Sequence, residues 1–153
     1  MANTYTQLYV QFVFSVKGRK SLIKEQFREE LEKIICGMIT TTKSKVLAIY
    51  CNPDHIHILV SMHPTISCSK LMEQVKSASS NWLNDKKYIV GKFAWQDGYG
   101  GFTYSKSQID AVVKYILNQP EHHKKGSFRE EYHTLLDSFE IEYDERYLFE
   151  WYD

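Results

Sequence analysis

Apolar residues recur at every second position in some stretches of this chain and at every third or fourth in others. The order of the two spacings leaves few folds open. Leu8, Val10, Phe12, Phe14 and Val16 alternate with Tyr9, Gln11 and Val13, the pattern of a strand. The chain turns at Lys17-Gly18-Arg19-Lys20, and Phe27, Leu31, Ile34, Ile35 and Met38 then mark an amphipathic helix. A second strand is expected near Val46 to Tyr50, and the turn Asn52-Pro53-Asp54 leads into a third from His55 to Met62. Leu71, Val75, Ala78 and Trp82 define another helix, with Ser67 or Ser69 as its cap. The glycine-rich stretch Gln96 to Gly101 precedes a short fourth strand, Phe102 to Ser105, and helical spacing resumes through Ile109, Val112, Val113, Ile116 and Leu117. Strand, helix, strand, strand, helix, strand is the ferredoxin-like (RRM-like) α+β order: an antiparallel sheet with helices on one face, the other face free, and here an additional C-terminal helix.

A chain of 153 residues without repeats or a Pro/Gly-rich linker reads as a single domain, 1–153. No apolar run approaches the roughly 20 residues that cross a bilayer. The start of the chain lacks the layout of a signal peptide, so a cytoplasmic protein, nucleoid-associated when acting on DNA, is the expectation. Cys36, Cys51 and Cys68 suggest neither a disulfide framework nor a zinc knuckle. Net charge is zero but unevenly spread: residues 1–128 hold 17 bases against 10 acids, whereas residues 129–153 hold nine acids and two bases. The basic body suits a phosphate-bearing partner. The acidic C-terminal tail either lies in solvent or covers another subunit.

In the third strand His55 and His57 are two apart, so both leave one face of the sheet, while Ile56, Ile58 and Val60 leave the other. Two imidazoles so placed can converge on one divalent ion, Mn2+, Zn2+ or, with oxygen ligands, Mg2+; taken alone, the pair better suits an open polar face. On a helical wheel with Ile109 at zero, the apolar stripe centres near about 10°, while Tyr115 falls near about 240° and Gln119 near about 280°. Tyr115 is thus aimed off the stripe, either at another surface or at chemistry. A phenol is a poor nucleophile at neutral pH unless a Lewis acid polarises the phosphate it attacks. Attack by Tyr115 would store the broken phosphodiester as a phosphotyrosine, with Gln119 as third metal ligand. Pro120 should end or kink the helix at Gln119.

His55-Ile56-His57 resembles the His-hydrophobic-His motif of the HUH nucleases. The run Tyr115-Ile116-Leu117-Asn118-Gln119-Pro120-Glu121-His122-His123 resembles the Tyr-Ile-x-Asn-Gln-x-x-His-His signature of the IS200-like single-tyrosine transposases, relatives of the REP-associated tyrosine transposases. The strand opening at Tyr5, the stretch Trp95 to Phe102 and Glu130-Glu131-Tyr132 match in order too. The resemblance implies transposition through single-stranded DNA with hairpin ends, a homodimer, Tyr115 as nucleophile, and a metal held by His55, His57 and Gln119. Cleavage would leave the 5′ end on tyrosine and a free 3′ hydroxyl. In such dimers one subunit's tyrosine helix can complete the other's histidine site, with Gly98 to Gly101 as a hinge or an ordinary turn. Lys17, Arg19, Lys20, Lys76, His122, His123 and Lys124 are candidate DNA contacts or plain surface cations. A domesticated relative acting on repetitive palindromes, or a catalytically silent nucleic-acid-binding module of the same fold, are the competing readings.

Overall fold

A computed structural model describes residues 3–124 and 126–148; the side chain of Arg19, a candidate DNA contact, and Lys125 lie outside the described residues. Strands β1 (Tyr9–Ser15), β2 (Lys45–Cys51), β3 (His55–Ser61) and β4 (Gly100–Tyr104) form one antiparallel sheet in the order β2-β3-β1-β4. Helix α1 (Glu25–Thr41) joins β1 to β2, and α2 (Cys68–Lys86) joins β3 to β4. Each crossover skips one strand, so two interleaved β-α-β units put both helices on the same face. The α+β, ferredoxin-like layout expected from the spacing is the one found. Ser67 rather than Ser69 caps α2, its side chain accepting from Lys70 N at 3.1 Å.

Alternation along the strands sorts the side chains. Phe12, Phe14, Ile56, Ile58 and Val60 face α1 and α2, where Leu31, Ile35, Leu71 and Val75 bury them. Gln11, Val13, Ser15, His55, His57 and Leu59, all buried, alternate with that set along β1 and β3 and point to the opposite face. That second face is not free. Helix α3 (Ile109–Leu117) lays Ile109, Val112 and Ile116 over Ala48 and Leu59. Helix α5 (Phe128–Ser138) lays Phe128, Tyr132 and Leu136 over Val13 and Phe102. The polar residues of β1 and β3 sit in the seam between the two helices.

Helix α5 takes up the first part of the segment read as an acidic tail. Its acids conceal an apolar stripe at helical spacing, Phe128, Tyr132 and Leu136, exposed by only 2%, 4% and 5%. Glu150 and Asp153 of that tail lie outside the described residues. Docking of α5 depends on a missing side chain at Gly100, where a Cβ would come within 2.6 Å of the Tyr132 hydroxyl and 2.8 Å of its ring. Gly100→Ala is therefore expected to cost about 1–3 kcal/mol, as overpacking does. Urea unfolding gives the cost, and faster proteolysis after α3 would locate it at α5. Among the described residues no helix is long and apolar enough to cross a membrane.

Candidate active site

Residues from six elements and two loops meet in and around the seam. His55 and His57 stand on β3, exposed by 1% and 0%, with ring centroids 5.3 Å apart. Each is fixed from behind. His55 Nδ1 donates to Asp54 Oδ1 at 2.7 Å, and the ring stacks on Phe128 at 3.8 Å between centroids. His57 Nδ1 donates to Gln11 Oε1 at 2.8 Å, while Gln11 Nε2 donates to the Tyr104 hydroxyl at 2.6 Å. These bonds select the tautomer that leaves both Nε2 lone pairs facing the seam.

Tyr115 enters from α3, with its ring 5.8 Å from that of His57 and 4.7 Å from that of His122. Its hydroxyl donates to Glu131 Oε2. Helix α3 ends at Leu117, and a short turn, α4 (Gln119–His122), begins with Pro120 in its first positions. Despite the break Gln119 is fully buried and stays beside Tyr115, its Nε2 lying 3.5 Å from the Tyr115 carbonyl. Gln119 Oε1 accepts from Asn52 Nδ2 at 3.1 Å and from His123 Nε2 at 2.9 Å, and its Nε2 donates to Glu131 Oε2 at 3.2 Å.

Glu131, from α5, is the centre of this arrangement. Its Oε1 lies 3.0 Å from His57 Nε2, 3.4 Å from His123 Nε2 and 3.6 Å from His55 Nε2. Donor atoms of His55, His57, His123 and Glu131 all lie within 4.8 Å of one another. With His57 Nδ1–H turned to Gln11, an imidazole lone pair faces a carboxylate oxygen, and two acceptors so close call for a cation between them. The donor set fits a divalent metal.

The charges of the site follow from burial and neighbours. Burial lowers His57 below the ordinary histidine range despite Glu131, which keeps its Nε2 unprotonated at neutral pH. Burial opposes the charging of His55 as well, but the Asp54 and Glu131 carboxylates outweigh it and raise that group. Glu131 is held far below the usual carboxylate range: burial opposes ionisation, and the imidazoles around it, His57 first and then His123 and His55, overcome it. Burial first, then the charge of Glu131, pushes the Tyr115 phenol well above its ordinary value. The phenol is therefore protonated at rest.

The other candidates divide. His122 and His123 reach the site, one against Tyr115 and one in the donor cluster. Lys17 and Lys20 are exposed in the turn after β1, at the sheet end where Ser15 pairs with His55. Lys124 is exposed and pairs with Glu121 at 3.1 Å. Lys76 lies on the α2 side of the sheet, where it donates to the carbonyls of Gln96 and Gly98 at 2.9 and 2.5 Å, with its charge 5.7 Å from the Phe14 ring centre. It braces the turn before β4. Glu131 was not among the sequence-derived site residues; its one sequence signal was the ordered match at Glu130-Glu131-Tyr132.

Comparison with known proteins follows the same residues. The family model described as "Transposase IS200 like" matches residues 4–119. The transposase for insertion sequence element IS200 of Salmonella typhimurium is 28% identical over 132 residues, covering 82% of this chain and 86% of the relative. The ISDra2 transposase of Deinococcus radiodurans is 24% identical over 118 residues, covering 74% and 84%. A solved structure of the REP-associated tyrosine transposase bound to a REP hairpin superposes with a TM-score of 0.60 at 16% identity, covering 80% of this chain and 73% of that one. His123 and Glu131 lie beyond residues 4–119 of the family match.

Proposed function

This chain belongs to the IS200-like transposase family, and from that premise we propose that it cuts and rejoins hairpin-flanked single-stranded DNA through Tyr115. In this reading His55 and His57 help hold a divalent ion, Mg2+ or Mn2+. That ion would polarise the scissile phosphate and offset charge on the departing oxygen. The observation that carries the reading is the meeting of the Tyr115 hydroxyl and the two β3 imidazoles on one carboxylate, Glu131, within a single chain.

The chain's own residues supply the rest. Tyr115 Oη forms a bond to phosphorus as the bond to the 3′ oxygen breaks, leaving a 5′-phosphotyrosine, and the departing oxygen takes a proton from solvent to become a free 3′ hydroxyl. The phenolic proton already points at Glu131 Oε2, its natural acceptor as the bond to phosphorus forms. Rejoining is the reverse: a 3′ hydroxyl attacks the phosphotyrosine and returns the phenol, with no nucleotide cofactor consumed. Beside Tyr115 lies a cleft of about 340 Å3, lined by His122, Ser127 and Glu130 among others, with room for the flanking nucleotide. The exposed Lys17 and Lys20, with His122 and Lys124, are proposed phosphate contacts. The hairpin preference and the homodimer are likewise proposals; the first draws on the relative solved with a REP hairpin.

Assembly of the whole set within one chain favours cleavage by each subunit's own tyrosine. Mixing Tyr115→Phe with His57→Ala protein tests this. A same-chain tyrosine predicts no adduct with labelled single-stranded DNA from the mixture, beyond the trace from each variant alone. Recovery of adduct on mixing would assign the tyrosine to the partner's site instead.

A further inference from the structure

We infer that His123 and Glu131 complete the metal-binding set with His55 and His57, and that Glu131 uses its second oxygen to hold Tyr115 at that site. The inference rests on the reading of this seam as a metal-dependent transposase centre, and it changes which residues hold the ion. Gln119, the third ligand that the sequence suggested, has its amide oxygen turned to Asn52 Nδ2 at 3.1 Å. A neutral amide oxygen so bonded is a poorer ligand than the charged carboxylate beside it.

The spacing of the alternative set suits an ion. Ligands about 2.0–2.2 Å from a metal stand roughly 3.0–3.6 Å from each other in tetrahedral or octahedral geometry. Glu131 Oε1 lies 3.0, 3.4 and 3.6 Å from the three imidazole nitrogens. His55 and His57 have their remaining nitrogens tied to Asp54 and Gln11, as metal-ligating histidines do. Gln119 becomes the residue that orients Glu131, donating to its Oε2 at 3.2 Å, while its own Oε1 lies 2.9 Å from the His123 Nε2 that sheds its proton to hold the ion.

The two oxygens of Glu131 are divided between two tasks. Oε1 faces the imidazoles, and Oε2 accepts from the Tyr115 hydroxyl and Gln119 Nε2. One carboxylate therefore fixes the nucleophile relative to the ion. Helix α5 carries that carboxylate and stacks its Phe128 on His55, so a helix outside the family-matched residues 4–119 closes the site. Three imidazoles and one carboxylate favour first-row divalent ions such as Mn2+ over Mg2+.

The test is isothermal titration of the full chain with Mn2+, without DNA, using wild type, Glu131→Gln, Glu131→Asp and His57→Ala. Glu131→Gln keeps the shape but removes the charge and turns one acceptor oxygen into an NH2 donor, and a thermal melt verifies its fold. It is expected to weaken Mn2+ at least about 10-fold, with Glu131→Asp between it and wild type. At saturating Mn2+ its adduct formation should stay below wild type, because the phenol is held less firmly. Wild-type Mn2+ affinity in folded Glu131→Gln, alongside lost affinity in His57→Ala, would overturn this inference and leave the proposed function standing. Failure of the wild type to bind Mn2+, with adduct formed regardless, would overturn both.

Discussion

Tyr115→Phe should form no covalent adduct with single-stranded DNA, a loss of at least about 10^4-fold, since removing a nucleophile leaves only binding and charge stabilisation. The substitution deletes one oxygen and little else. The ring keeps its contacts with His57 and His122, and Glu131 Oε2 keeps its bond from Gln119 at 3.2 Å. Folding should therefore change by no more than about 1 kcal/mol, the net value of an ordinary hydrogen bond. Binding of the DNA, read by gel shift, should survive because the phosphate contacts proposed at Lys17, Lys20 and Lys124 are untouched. A catalytically silent binding module would show no adduct in the wild type either. Normal adduct in Tyr115→Phe would place the nucleophile elsewhere.

His57→Ala should have the second largest effect, and on two properties at once. His57 is fully buried between Gln11 Oε1 at 2.8 Å and Glu131 Oε1 at 3.0 Å. Its loss strands a buried amide and a buried carboxylate, at a cost of about 1–3 kcal/mol or more in urea unfolding. It also removes an imidazole whose low proton affinity suits it to ligation. Adduct formation should fall at least about 100-fold and recover little with added Mn2+, because a lost ligand costs more than a lost outer partner. Adding chelator to wild-type protein should reproduce the activity loss without the stability loss. A stability loss with undiminished adduct would make His57 a structural residue.

Much of this was legible in the chain alone. The alternation in β1 and β3 assigned His55 and His57 to the face opposite Phe12, Phe14 and Ile58, because strand geometry leaves no other choice. The wheel of α3 set Tyr115 off its apolar stripe, and that direction is the one toward His57. Helix α5 was less legible for a physical reason. Phe128, Tyr132 and Leu136 carry the right spacing, but Glu130 and Glu131 between them and Asp137 just after match a solvated tail, and only the groove beside α3 gives the stripe something to cover. Glu131 is a largely buried carboxylate, costly anywhere except beside the imidazoles of the distant strand β3 and of His123. No local pattern encodes such a neighbourhood. Gln119 was placed rightly in space, yet its hydrogen bonds depend on Asn52 and His123, which helical spacing does not report.

The most direct test is to digest the protein after reaction with single-stranded, hairpin-bearing DNA and divalent metal, and to map the adduct by mass spectrometry. The account predicts one modified peptide, carrying a 5′-linked nucleotide on Tyr115, present with metal and absent with chelator. A nucleotide on any other residue, or cut DNA bearing a free 5′ phosphate with no protein attached, would contradict it.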